Sequence, residues 1–139
     1  MRGANGVTGY RNMVLCLGDR DVSFSNWHRM PQANRTARNW CFTVNNPGSW
    51  TPKEWIKQAT TRNLLKFLCY QLESGVEGTV HIQGYLEVRQ ACRLPALKKQ
   101  LHGQAHFEIR QGSREQAILY CMKTESRIEN SRPEIWSMN

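Results

Sequence analysis

The order of predicted elements, β-α-β-β-α-β followed by a third helix, predicts an α+β fold of the ferredoxin-like or RRM-like split βαβ type. Three observations carry that expectation: a strand and turn signal at residues 40–48, a two-run hairpin pattern over 66–88, and a capped helix opening at Ser113. The expected architecture is a central antiparallel sheet of four or five strands. Two helices cover one face, and the third lies near the other.

The elements follow in order. Trp40-Cys41-Phe42-Thr43-Val44 alternates large apolar with smaller or polar side chains, then stops at Asn45-Asn46-Pro47-Gly48, a dense turn signal. Thr51-Pro52 has the form of a helix N-cap with Pro at the first helical position, and Trp55, Ile56 and Ala59 share a face down to residue 62. Runs over 66–73 and 80–88, separated by Ser74-Gly75-Val76-Glu77-Gly78, read as a β-hairpin. A second helix is expected over 93–101 and a fourth strand over 105–110. The third helix runs from Ser113 to Lys123, where Ser113 and Gln116 form an S-x-x-Q capping box and Glu115 favours the helix dipole.

Composition bounds the rest. At 139 residues and 40% hydrophobic, the chain supports one core, and no apolar run approaches the ~20 residues of a membrane-spanning helix. The five cysteines, Cys16, Cys41, Cys69, Cys92 and Cys121, never form a C-x-x-C pair, which argues against a disulfide framework and a four-thiolate zinc site. No G-x-x-x-x-G-K-[ST] phosphate loop is present, so ATP-driven work is not expected of this chain. A net charge of +8 favours an anionic partner, with nucleic acid the usual one. Residues 1–38 hold six Arg, no Lys and two Asp, and read as a basic, poorly ordered tail ahead of a domain over 39–139.

Period 2 sorts the hairpin onto two faces. If Leu72 pairs with Ile82, Leu68 meets Leu86, and these four with Val88 form the core face. The opposite face then sets Glu73 across from His81, Gln71 from Gln83 and Cys69 from Tyr85. A carboxylate, an imidazole and a side-chain amide converge there, a donor set that suits Mg²⁺ or Mn²⁺ better than Zn²⁺. On the third helix, Tyr120 and Lys123 lie three apart and share a face. An ionised Tyr120 has the chemistry to attack a phosphodiester, with Lys123 offsetting the charge that builds in the transition state. Without this context His81 is an ordinary strand histidine and Tyr120 half-buried packing. Thr43 and Asn45 point to the metal side, either to hydrogen-bond DNA or to satisfy one another across strands. Lys98, Lys99, Arg89 and Arg93 are equally a phosphate track or a solvated edge. His106 and Glu108 share a face and read as solvated or supporting.

Cys41-Phe42-Thr43-Val44-Asn45-Asn46-Pro47, His81-Ile82-Gln83-Gly84-Tyr85 and Tyr120-Cys121-Met122-Lys123 closely resemble, in order, the three motifs of the HUH-type Rep endonuclease domain. The resemblance covers residues 39 to 136 and is nearest to replication initiators of nanovirus-like and circovirus-like circular single-stranded DNA viruses. It implies rolling-circle initiation: site-specific nicking of single-stranded DNA at an origin stem-loop, a 5′-phosphotyrosyl intermediate, and later joining, in the host nucleus. It further implies Glu73, His81 and Gln83 as ligands of Mn²⁺ or Mg²⁺, Tyr120 as nucleophile and Lys123 as its helper. Phe42, Thr43, Asn45 and Asn46 fall in the first motif, which the resemblance implies for DNA recognition and for shaping the sheet, and Tyr85 on the site face reads as either packing or a base-stacking, DNA-binding residue. Position 83 is Gln where two-histidine members have His, as in the circovirus-like and nanovirus-like branch. Full-length relatives continue into a helicase domain, so the chain reads as a nuclease fragment, with oligomerisation of the full-length protein left open. The rival is a non-catalytic RRM-like module binding single-stranded nucleic acid on its open sheet, although His81 and Gln83 stand where its aromatic residues belong.

Overall fold

The structure, a computed structural model, describes residues 34–138. Of the expected basic tail only residues 34–38 fall within this range. The first described strand, β1 (Ala37–Asn45), begins two residues ahead of the expected domain start at residue 39. Next come α1 (Lys53–Lys57), α2 (Ala59–Leu64), β2 (Leu65–Ser74), β3 (Val80–Cys92), α3 (Leu94–Gln100), β4 (His106–Ile109), α4 (Arg114–Tyr120) and β5 (Glu134–Ser137). The strands form one antiparallel sheet in the order β4-β1-β3-β2-β5. This is the α+β, split βαβ architecture expected, with β5 added at the edge of β2.

The hairpin register is the expected one: Leu72 faces Ile82, Leu68 faces Leu86, Glu73 faces His81, Gln71 faces Gln83 and Cys69 faces Tyr85. Even-numbered residues of β1, β2 and β3 point into the main core, where Trp40, Phe42, Val44, Leu68, Ile82, Leu86 and Val88 pack with Trp55 of α1, Leu97 of α3 and Phe107 of β4. Burying a side chain of this size stabilises the fold by about 1.5–3 kcal/mol, so this single layer supplies most of the hydrophobic drive.

The helix expected to run from Pro52 to residue 62 is two short ones. Gln58 takes an extended conformation (φ −90°, ψ 122°), and the Thr61 hydroxyl donates to the Trp55 carbonyl that the break leaves without a helical partner. Trp55 is therefore buried while Ala59, expected on the same face, is exposed.

Gly84 lies at the centre of the sheet, facing Phe42 on one side and Tyr70 on the other. A Cβ built there would stand 2.1 Å from Cζ of Phe42, whose ring is itself held edge-on by Trp55 at 5.3 Å. The ring has no room to retreat, and overpacking of this kind costs about 1–3 kcal/mol or more. Gly84→Ala is expected to lower the thermal midpoint by several degrees or to prevent folding, read by circular dichroism. A midpoint equal to wild type would mean the Phe42 ring moves freely.

Candidate active site

Odd-numbered residues of β1, β2 and β3 and even-numbered residues of β4 build the other face. Its rows, read across the sheet, are Asn45–His81–Glu73, then His106–Thr43–Gln83–Gln71, then Glu108–Cys41–Tyr85–Cys69. Over the third row lies α4. Ala117 and Cys121, one helical turn apart, pack against Cys41, Phe67, Cys69 and Tyr85 in a second apolar cluster. Small side chains at both positions let the helix approach the strands closely, and the capping box of Ser113 and Gln116 fixes its start. Arg114 adds an ion pair with Glu87 at 2.6 Å and sets its guanidinium 4.5 Å over the Phe67 ring.

The helix ends at Tyr120, and Lys123 stands in the turn beyond it rather than on the helix. The two still meet, with the Lys123 ammonium 3.9 Å from the centre of the Tyr120 ring. The same ammonium donates to Glu73 Oε2 at 2.8 Å. Lys123 thus joins phenol to carboxylate in two short steps, on the side of the sheet that carries His81.

Glu73 is the hub. Its side chain is nearly enclosed (2% exposed), yet each oxygen is satisfied: Oε1 meets His81 Nε2 at 3.1 Å, and Oε2 accepts from Gln71 Nε2 and from Lys123, both at 2.8 Å. Burial alone would raise its pKa. The bonds from His81, Gln71 and Lys123, together with the Lys123 charge, outweigh burial and hold it down at about 2, against an ordinary 4.5. The carboxylate is therefore ionised at neutral pH. A folded pKa below the unfolded one stabilises the protein above pH 4.5, and that contribution of about 3 kcal/mol disappears as the pH falls from 4.5 through 2. Denaturant titrations of wild type and Glu73→Gln at pH 6 and pH 2.5 should show a steep loss in the first and a shallower one in the second. Equal slopes would remove Glu73 from this role.

The donor chemistry fits a hard divalent ion. Two ligands in neighbouring octahedral positions at ~2.1 Å lie about 3 Å apart, and His81 Nε2 and Glu73 Oε1 are separated by 3.1 Å. Gln83 makes no hydrogen bond to either of them. Its carbonyl oxygen accepts from the Thr43 hydroxyl at 3.2 Å and its amide nitrogen donates to the Phe42 carbonyl at 3.3 Å. A carbonyl oxygen retains a second lone pair, so that bond and coordination are compatible. Among the described residues no three His, Cys, Asp or Glu side chains gather for metal binding, and any site here relies on the Gln.

Two expected DNA contacts are corrected. Of the two readings of Tyr85, packing and base stacking, the structure shows packing: the residue is fully buried beneath α4, donates its hydroxyl to Glu87 Oε2 at 2.6 Å and accepts from Arg110 at 2.8 Å. Burial first, then the Glu87 bond, pushes its pKa up, so it stays a neutral phenol. Phe42 is 1% exposed within the main core on the opposite face. Asn45 and Asn46 are exposed at the end of β1, with Asn46 in the left-handed region (φ 51°), and Thr43 is half-buried. His106 and Glu108 pair with each other at 2.7 Å on the exposed β4 edge. Two strands, β1 and β3, lie between them and Glu73, which makes three inter-strand steps of ~4.8 Å each.

The polar scaffold around Glu73 includes two side chains that were given no role in the sequence. Gln71 (1% exposed) donates from Nε2 to Glu73 and to the Lys123 carbonyl, the latter also at 2.8 Å. Arg127 donates to Gln71 Oε1 and to the Met122 carbonyl. The hairpin register pointed to Gln71, whereas Arg127 lies in an irregular segment that carries no period.

Residues 37–124 match the family described as "Putative viral replication protein", and the chain belongs to it. Among its relatives, the "Master replication protein" of Subterranean clover stunt virus is 42% identical over 90 residues, 65% of this chain and 28% of that protein. The corresponding protein of Milk vetch dwarf virus is 40% identical over 90 residues, with the same shares. The "Replication-associated protein" of Pigeon circovirus is 41% identical over 98 residues, 68% of this chain and 29% of that protein. The matched stretch thus spans less than a third of each of these relatives. No described helix is long and apolar enough to cross a membrane.

Proposed function

We propose that this chain nicks and rejoins single-stranded DNA by tyrosine transesterification, at the origin stem-loop from which rolling-circle replication of a viral genome starts and ends in the host nucleus. The observation that carries the reading is the Glu73–Lys123–Tyr120 connection: an ionised carboxylate beside an imidazole, tied through one ammonium to a phenol at a helix end. A Mg²⁺ or Mn²⁺ ion held by Glu73, His81 and Gln83 would supply polarisation of a non-bridging phosphate oxygen.

The chain's own groups do the rest. Tyr120 loses its phenolic proton to solvent and its oxygen attacks the phosphorus. The bond from phosphorus to the 3′ oxygen breaks, and that oxygen takes up a proton as a free 3′ hydroxyl. The 5′ phosphate stays on Tyr120. Lys123, already over the ring, offsets the negative charge that spreads over the phosphoryl oxygens. Reversal by a 3′ hydroxyl restores the diester and the phenol, so joining requires no nucleotide triphosphate. Exposed Asn45 and Asn46 stand at the edge of this face for DNA contact.

A pure binding module is less well supported, because Tyr85 and Phe67, the aromatic side chains of this face, are buried under α4 rather than presented for stacking. Incubation with single-stranded DNA carrying an origin-like loop and Mn²⁺ should give a covalent band on a denaturing gel, absent after chelation. A mobility shift on a native gel with no covalent band on any sequence would favour the binding module.

A further inference from the structure

We propose that Arg127 is a positioning residue for this site, acting through Gln71 and through the turn that carries Lys123; the inference rests on the nicking function proposed above. An amide side chain has two ends of opposite polarity and nearly the same shape, so something must decide which end meets a buried carboxylate. Here Arg127 Nε donates to Gln71 Oε1 at 2.8 Å. With the oxygen so engaged, the amide nitrogen is left to donate to Glu73 Oε2 and the Lys123 carbonyl. Turned the other way, Gln71 would press its carbonyl against a carboxylate in an enclosed space, where an unpaired polar group is costly.

The second arm of the guanidinium, Nη2, donates to the Met122 carbonyl at 2.6 Å. The flanking backbone is stitched to the β2 edge: Ser74 N–H donates to Ser126, Ile128 N–H donates to Leu72, and Arg127 bridges Glu73. One planar fork therefore spans two acceptors, one orienting the Glu73 amide partner and one fixing the peptide just before Lys123. Lysine carries all its donors on one nitrogen and does not reproduce this planar fork of two nitrogens. Arg127 also lies beyond the residues 37–124 that match the family.

The test uses the whole 139-residue chain, with Arg127→Met, Gln71→Met and the double variant. It reads nicking at saturating DNA, DNA affinity, and Mn²⁺ affinity by titration calorimetry. Arg127→Met is expected to lower kcat and Mn²⁺ affinity about ten- to a hundred-fold, the effect typical of groups that orient ligands, with DNA affinity within twofold of wild type. The double variant should fall clearly short of the product of the two single losses, because the arm through Gln71 is shared and coupled positions are not additive. Should Arg127→Met melt early, Arg127→Lys is expected to fold and to fall in the same direction. Wild-type kcat and Mn²⁺ affinity in the Arg127 variants, or a fully additive double variant, would overturn the positioning role. A wild-type chain that neither nicks nor binds Mn²⁺ would overturn the function proposed above and this role with it.

Discussion

Glu73→Gln is expected to abolish measurable Mn²⁺ binding and to reduce nicking about a thousandfold, equivalent to roughly 4 kcal/mol of transition-state stabilisation. The substitution preserves shape and removes only the charge. At least two groups then lose what they were arranged around. The Lys123 ammonium, 2.8 Å from Oε2, has no counter-charge, and His81 faces an amide in place of a carboxylate. With its side chain 24% exposed, Lys123 can turn toward water, so the stability loss at neutral pH should stay near 2 kcal/mol rather than reach the 3–5 kcal/mol of a fully buried broken pair. Calorimetry with Mn²⁺ and urea denaturation of the same preparation separate the two effects. Retained ion binding would take Glu73 out of the ligand set.

Tyr120→Phe is expected to eliminate the covalent adduct and to reduce nicking by roughly 10⁴-fold or more, the scale seen when a nucleophile is removed. The lost atom is a single oxygen at a half-buried helix end, and the ring that Lys123 covers remains. Stability and DNA affinity should therefore change little. The other tyrosine of this face cannot substitute: Tyr85 is enclosed and its hydroxyl is committed to Glu87 and Arg110. Tyr85→Phe is instead expected to destabilise the fold, since Glu87 would lose a buried donor. A Tyr120→Phe protein that still forms the adduct would assign the nucleophile elsewhere.

The pairing of Glu73 with His81 was legible in the sequence because a strand's alternation and a short hairpin loop fix both face and register. The helix start at Ser113 was legible for a similar reason, since its capping signal is local. What lies over a sheet face is not local. Alternation put Cys69 and Tyr85 beside Glu73 and Gln71, but only the packing of Ala117 and Cys121 reveals that α4 roofs the first pair. The break at Gln58 depends on a hydroxyl six residues from the carbonyl it satisfies. β5 is four residues long with one apolar side chain, Trp136, turned to the core, too short for a period to register. Arg127 meets Gln71 across 56 positions of chain, a contact without any repeating pattern to predict it.

The central claim is that the Tyr120 oxygen takes the 5′ phosphate of the cut strand. Protease and nuclease digestion of the covalent product, followed by mass spectrometry, tests it directly. The peptide containing Tyr120 should carry a nucleotide linked through its 5′ phosphate, and the released strand should end in a free 3′ hydroxyl. A nucleotide found on any other residue, or a cut strand ending in a 3′ phosphate, would contradict it.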